Sequence, residues 1–150
     1  MKAFSAYDPS LARPFIEKWE DCRLTAYVCP AGIWTIGIGH TGDVKAGGTV
    51  TPDEAAQLFD DDCRAVIQQL APYVNVPVTE GQFIALLSLA FNVGAGYVVH
   101  NCPRLMRALN AGDCEACANE FLDIVKANGV TLPGLVKRRR EEAKLFLSEV

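Results

Sequence analysis

The feature that most constrains the fold is a stretch at positions 83–93 that is apolar on almost every side of a helix, FIALLSLAFNV. Thr79 and Gln82 precede it with the spacing of a capping box, which satisfies the free N–H groups of the first helical turn. Gly94 and Gly96 follow it and end the helix. Because a helix without a polar face has to be surrounded by other elements, this stretch predicts a buried central helix.

Helical periodicity extends over much of the remaining chain. Thr51 and Glu54 form another capping box around Pro52, and an apolar stripe from Ala55 to Leu70 follows. The other predicted helices run from about Ser10 to Arg23, from Pro103 to Asn110, from Asp113 to Ala127, and from Pro133 to near Ser148. Together with one hairpin, these helices predict an α+β fold that is mainly α.

The hairpin is predicted at Tyr27–Gly39, with its turn at Pro30–Gly32 and the alternative of a three-stranded sheet. Side chains of the second strand alternate between two faces. The face of Trp34 is apolar, and we expect it to pack inward. The face of Thr35 and Gly37 is small and partly polar, and glycine there lets a ligand approach the backbone. This face predicts one wall of a ligand-binding groove.

An acid, a thiol and a hydroxyl occur around this hairpin at a defined spacing. Glu20 is followed after eight residues by Cys29, and after five more by Thr35. Hydrolysis of a glycosidic bond needs a proton donor and, facing it, a group that holds a water. Glu20 is the candidate acid, and Glu17, one turn earlier, is its competitor. Cys29 is the candidate water-holding group, with a structural thiol in a turn as the alternative.

The chain resembles the phage-type lysozymes, which are endolysins and muramidases related to the T-even and lambdoid phage lysozymes, in the segment EDCRLTAYVCPAGIWTIGIGHTG. Later segments resemble the same family in the same order: TPDEAAQLFDDD, LSLAFNVGAG, LMRALNAGD and LPGLVKRRREE. The resemblance implies one domain over residues 1–150 with a lysozyme-like fold. A small β-containing lobe at about 24–50, and a helical lobe at about 51–150 that includes the N-terminal helix, would flank a substrate groove.

The resemblance also implies catalytic and substrate-binding residues. Glu20, Cys29 and Thr35 match the catalytic residues of the family position by position, although many members have Asp in place of Cys29. Asn92 matches a position that lines the substrate cleft, with a helix C-cap as its alternative role.

Further residues are expected around this site. We expect Tyr27, Trp34 and Gly37 to shape the sugar groove. The resemblance implies that His40 is structural and pairs with a carboxylate at the start of the long helix, for which Asp62 is the candidate.

Two other features have competing interpretations. The basic run KRRR at 137–140 is usually a solvated helix face, whereas the family places an Arg near the catalytic Glu, here Arg138 or Arg139. Cys114 and Cys117 form a lone CxxC, which is a weak metal signal and fits a helix core better. The six cysteines could form disulfides or remain buried free thiols. Ile124 stands where relatives often carry Trp.

Composition excludes several classes of function. The net charge of −4 argues against nucleic acid as the main partner. No stretch approaches the roughly 18 consecutive apolar residues of a membrane span, and the N-terminal residues lack the pattern of a signal peptide. We therefore expect no stable membrane insertion, and no metal or other cofactor is predicted.

Together with the resemblance, the sequence predicts a monomeric endolysin that cleaves the β-1,4 bond between N-acetylmuramic acid and N-acetylglucosamine in peptidoglycan. We expect it to be made in the host bacterial cytoplasm and to reach the wall or periplasm with the help of a holin. A lytic transglycosylase and a non-catalytic wall-binding protein are the alternatives.

Overall fold

The computed structural model describes residues 1–148. Within them the chain is mainly helical, with two small antiparallel sheets of two strands each. The helices are α1 (Arg13–Glu20), α2 (Pro52–Leu70), α3 (Glu80–Val93), α4 (Ala95–Asn101), α5 (Pro103–Asn110), α6 (Cys114–Phe121) and α7 (Pro133–Phe146). The strands are β1 (Arg23–Val28), β2 (Trp34–Gly37), β3 (Lys126–Ala127) and β4 (Val130–Thr131). The predicted fold class, α+β and mainly α, is confirmed.

Two compact units are distinguished among the described residues. One comprises Pro9–Ala65, and the other comprises Met1–Asp8 and the chain from Val66 onward. α1 and most of α2 lie in the first unit together with the hairpin, and the lobes expected at about 24–50 and 51–150 stay a prediction. Within the first unit, the Arg13 guanidinium lies 2.9 Å from an Asp60 carboxylate oxygen, which ties α1 to α2.

Helix α3 is buried over most of its length in the second unit, as predicted. Both hydrogen bonds of the capping box are present, with Gln82 N donating to Thr79 Oγ1 (3.1 Å) and Thr79 N donating to Gln82 Oε1 (3.0 Å). The helix ends at Gly94, whose φ is 95°. No single helix within residues 1–148 is long and apolar enough to cross a membrane. α3 and α4 have the required length and apolarity only when they are taken together, and the chain bends by 98° between them.

Two predicted helices end earlier than expected. α1 stops at Glu20 rather than Arg23, because Asp21 has a φ of 64° and the chain then enters β1. α6 stops at Phe121 rather than Ala127, and the β3–β4 hairpin follows. Asn128 (φ 52°) and Gly129 (φ 78°) form its two-residue turn, a combination that is typical of tight hairpins.

The β1–β2 hairpin begins earlier than expected, at Arg23, and pairs Tyr27 with Thr35 across the two strands. Its turn lies at Pro30–Gly32, as predicted, with Cys29 N donating to Ile33 O (2.9 Å). β2 ends at Gly37 rather than Gly39.

Candidate active site

Glu20 is the last residue of α1, at the point where the chain turns into the hairpin. Asp21 N donates to Glu17 O (2.7 Å), and the left-handed conformation of Asp21 ends the helix there. Ile16 is completely buried and anchors the same helix in its unit. Glu20 is half-buried and lies at the end of a helix that Ile16 anchors in its unit.

The Cys29 side chain lies in the hairpin turn, surrounded by hydrogen-bond donors. The backbone N–H of Ile33 is the main cause of a lowered pKa of the Cys29 thiol; the Ala31 backbone and the Thr35 hydroxyl add to it, while desolvation acts in the opposite direction. Hydrogen bonds to the charged form of a group stabilise that form. The turn thus favours the thiolate of Cys29 more than water does.

The Thr35 hydroxyl lies next to the Cys29 side chain and donates a hydrogen bond to Ile33 O (3.0 Å). A hydroxyl has one proton and two lone pairs, so Thr35 can accept from a Cys29 thiol while it donates to Ile33. Its proton can turn to the sulfur when Cys29 is ionised. Cys29 and Thr35, which the sequence singled out, are therefore in direct contact.

Tyr27 lies near both the candidate acid, Glu20, and the candidate water-holding group, Cys29. Burial raises the pKa of the Tyr27 hydroxyl most; Arg23 lowers it, and Glu20, Cys29 and Asp21 raise it further through their charges. Tyr27 is therefore within electrostatic reach of Glu20 and of Cys29. We call Glu20, Tyr27, Cys29 and Thr35 the hairpin cluster.

Trp34 and Thr35 of β2 differ from the prediction, whereas Ile36, on the same face as Trp34, packs inward as expected and is 5% exposed. Trp34, expected to pack inward, is 38% exposed, whereas Thr35, expected on the groove face, is 3% exposed. Beyond Trp34 the strand is buried on both faces, because α2 covers the face that we expected to be open. Trp34 thus remains available for contact with a ligand.

Gly37 does not leave room for a ligand, which corrects the prediction made for it. A Cβ atom at Gly37 would lie 3.3 Å from Ala55 Cβ of α2 and 3.4 Å from Ala55 Cα. Its φ of 63° is also in the left-handed region, which favours glycine. The glycine is required by a close helix–strand contact and by a backbone turn.

His40 and Asp62 form the pair that the resemblance implies. His40 Nδ1 lies 2.8 Å from Asp62 Oδ2, and His40 Nε2 lies 3.1 Å from the Gly42 carbonyl oxygen. The pair links the loop after β2 to the middle of α2, so its position is that of a structural contact within this unit.

Asn92 and the basic run lie in the other unit, where the half-buried Asn92 and the buried Arg138 and Arg139 belong to one polar network, while Lys137 and Arg140 are exposed. Arg138 is 4% exposed and Arg139 is fully buried, so the interpretation of this run as a solvated face is wrong for both. Arg139 donates to Asn92 Oδ1, to Glu142 Oε1 and to Ile124 O, the last at 2.8 Å.

Ser88 and Glu142 complete this network, and sequence reasoning missed both. Glu142 is fully buried and accepts from Ser88 Oγ, while Arg138 Nη2 donates to Ser88 O (3.1 Å). Two arginines three and four residues before a glutamate, on an otherwise apolar helix face, were the signal available in the sequence.

All six cysteines are free thiols, and Cys63, Cys102 and Cys117 are buried. Burial raises the pKa of the Cys117 thiol to about 12, and burial likewise raises that of Cys22. Within residues 1–148, no group of three or more histidine, cysteine or acidic side chains is arranged to hold a metal ion.

Comparisons with known proteins extend over nearly the whole chain. A family model described as phage lysozyme matches residues 17–142. The endolysin of Acyrthosiphon pisum secondary endosymbiont phage 1 is 39% identical over 137 residues, covering 89% of this chain and 92% of that protein. The SAR-endolysin of Enterobacteria phage PA-2 is 34% identical over 117 residues, covering 77% and 70% respectively. The solved endolysin from Escherichia coli O157:H7 phage FAHEc1 has a TM-score of 0.84 at 31% identity, covering 93% of this chain and 92% of that chain.

Proposed function

The chain belongs to the phage lysozyme family, and from this premise we propose that it is an endolysin that hydrolyses the β-1,4 bond between N-acetylmuramic acid and N-acetylglucosamine in peptidoglycan, causing host cell lysis. The observation that carries the proposal is the hairpin cluster. It combines an acid at a helix end with a thiol that is held by hydrogen-bond donors. Glycoside hydrolysis requires a proton donor and a group that activates a water, and the hairpin cluster offers a candidate for each.

Glu20 acts as the general acid in this proposal. Its carboxyl proton passes to the glycosidic oxygen as the bond from that oxygen to the anomeric carbon breaks, so the leaving sugar departs as an alcohol. The anomeric carbon develops positive charge during this step. The position of Glu20 at the end of α1, next to the hairpin, supports the assignment.

Cys29 and Thr35 hold the attacking water. The water oxygen bonds to the anomeric carbon from the face opposite the leaving group, and its proton passes to the Cys29 sulfur. Attack on that face inverts the anomeric configuration. The contact between these two residues and the lowered pKa of the Cys29 thiol support this role, because the thiolate is the form that accepts a proton.

Contacts with sugar are proposed for Tyr27 and Trp34 in the first unit and, separately, for Asn92 in the second. The exposed Trp34 ring provides an apolar face on which a sugar can stack. Arg139 donates to Asn92 Oδ1 and thereby restrains the Asn92 side chain. Gly37 is left out of this proposal because Ala55 occupies the space beside it.

The name of the relatives, endolysin, supports peptidoglycan as the substrate and the bacterial wall as the place of action. We propose synthesis in the host cytoplasm, a monomeric enzyme, and release to the wall with the help of a holin. The SAR-endolysin relatives favour action in the periplasm.

The test is digestion of purified peptidoglycan followed by mass spectrometry of the muropeptides. Hydrolysis gives reducing N-acetylmuramic acid ends, whereas 1,6-anhydro ends would identify a lytic transglycosylase, and no products would identify a wall-binding protein. Glu20→Gln keeps the shape of the side chain without its proton and should lower turnover by about 10²- to 10⁴-fold. Glu17→Gln is the matched control and should stay largely active. Full activity of a folded Glu20→Gln variant would exclude Glu20 as the acid.

A further inference from the structure

We infer that Arg23 determines substrate specificity by binding a carboxylate of the wall polymer beside the hairpin cluster. This inference rests on the proposed function, and it adds the charged group of the substrate that the same site recognises. A carboxylate can come from the stem peptide or from the lactyl group of muramic acid without a peptide.

Arg23 is placed next to the candidate acid by the local fold. The left-handed turn at Asp21 ends α1 directly after Glu20, and Arg23 is the first residue of β1. Its partner across the hairpin is Gly37, which has no side chain. β2 therefore places no side chain opposite Arg23, although Ala55 of α2 lies beside Gly37.

The guanidinium of Arg23 is held by an aromatic ring. Its central carbon lies 4.3 Å from the centroid of the Tyr27 ring. Stacking on a ring restricts the planar group while the N–H donors at its edge remain directed outward. Tyr27 belongs to the hairpin cluster, so the ring sets the position of Arg23 relative to that cluster.

The donors of Arg23 are accessible to a ligand. Its side chain is 56% exposed, and Nε lies 3.7 Å from Asp21 Oδ2, beyond hydrogen-bond distance. The Asp21 side chain is itself 73% exposed, so this is a weak surface ion pair. A pre-oriented guanidinium with accessible donors matches the geometry of a bidentate carboxylate contact.

The negative charge of the chain makes a contact between Arg23 and a substrate carboxylate useful beside the hairpin cluster. The chain carries a net charge of −4, and Glu20, Asp21 and Cys29 are acidic groups near the Tyr27 ring. An anionic polymer that approached these groups alone would be repelled. Arg23 supplies a cation where the polymer would enter, and thereby favours a substrate with a carboxylate over a neutral glycan.

The experiment compares Arg23→Gln and Arg23→Lys with the parent on three substrates. These are intact sacculi, sacculi whose carboxyl groups have been converted to amides with carbodiimide and ammonia, and glycan strands freed of peptides by an amidase. Arg64→Gln is the matched control, because Arg64 is also exposed (54%) and also faces an aspartate, Asp61, at 3.5 Å. Initial rates give kcat and KM at low and high salt.

We expect Arg23→Gln to raise KM about tenfold on a carboxylated substrate, with kcat within about twofold of the parent. The effect should vanish on amidated sacculi and shrink at high salt, because exposed charges are screened. Arg23→Lys should recover part of the loss, since it keeps the charge but lacks the planar fork. A raised KM of Arg23→Gln on peptide-free strands identifies the lactyl carboxylate as the group that Arg23 binds. A raised KM that is confined to intact sacculi identifies a carboxylate of the stem peptide.

The inference is overturned if Arg23→Gln raises KM as much on amidated sacculi as on intact ones, if kcat falls while KM stays constant, or if Arg64→Gln raises KM to the same extent. A fall in kcat alone would make Arg23 a positioning residue for Tyr27. Sedimentation of Glu20→Gln and of Glu20→Gln/Arg23→Gln with sacculi measures binding without turnover. It keeps the test of Arg23 separate from failure of the proposed hydrolysis.

Discussion

Replacing Gly37 by alanine tests whether this glycine is needed for the close contact with Ala55 of α2 or for the approach of a ligand to the backbone. A residue with a side chain pays about 1–2 kcal/mol for a left-handed conformation, offset by about 0.4–1 kcal/mol because alanine restricts the unfolded chain. At Gly37 the new Cβ would also lie 3.3 Å from Ala55 Cβ, a short rigid side chain that cannot swing away. Overpacking of this kind costs about 1–3 kcal/mol.

The expected loss of unfolding free energy for Gly37→Ala is therefore about 2–4 kcal/mol, or a fall in Tm of about 4–16 °C for a chain of this size. Gly32→Ala is the control, since Gly32 has a φ of 80° but nothing within 4 Å of its added Cβ. It should lose only about 1 kcal/mol.

Urea unfolding followed by circular dichroism gives both values, and the KM for peptidoglycan is measured on the folded fraction. Equal losses at the two glycines would refute the assignment of a close contact with Ala55. A stable Gly37→Ala protein with a raised KM would restore the ligand-approach role that the sequence suggested.

Two further predictions concern Cys29 and the buried charges. Cys29→Asp should retain activity and Cys29→Ala should lose it. In the parent, activity should rise with pH as the Cys29 thiol ionises, and this rise should occur at a lower pH than for an ordinary cysteine. In the Cys29→Asp variant the rise in activity should move to the pH range in which carboxylates ionise, near about 4. Parental activity in Cys29→Ala would make Cys29 structural. Glu142→Gln should cost about 3–5 kcal/mol of unfolding free energy, because it leaves Arg138 and Arg139 buried without their carboxylate. The neighbouring Glu141→Gln, which is exposed, should change stability by less than about 0.5 kcal/mol, and similar losses for the two variants would contradict the charge network.

The buried network also connects the stability of its unit to a candidate substrate residue. Arg139 uses its donors on Glu142, Ile124 and Asn92, so loss of Glu142 would alter the support of the Asn92 amide as well as the charge balance. A folded Glu142→Gln variant should therefore show a raised KM in the same assay that measures its stability.

Local chemistry in the sequence was sufficient for several elements. The capping boxes at Thr51 and Thr79 are sequence patterns because their partners lie three residues away in the chain. The burial of α3 follows from its lack of a polar face, and the Pro30–Gly32 turn follows from backbone preferences. The spacing of Glu20, Cys29 and Thr35, together with the resemblance, selected the residues of the hairpin cluster.

Only the tertiary structure decided the features that depend on partners distant in the chain. Gly37 looks like an open position until Ala55 of α2 is placed against it. The basic run looks solvated until α3 supplies Ser88 and Asn92 as partners for Arg138 and Arg139. Arg23 and Tyr27 are only four residues apart on β1, but the register irregularity that lies between them arises in the pairing with β2. Hydrophobic pattern and secondary-structure propensity depend on residues a few positions apart, whereas the burial and charge pairing of a side chain depend on residues that folding places next to it.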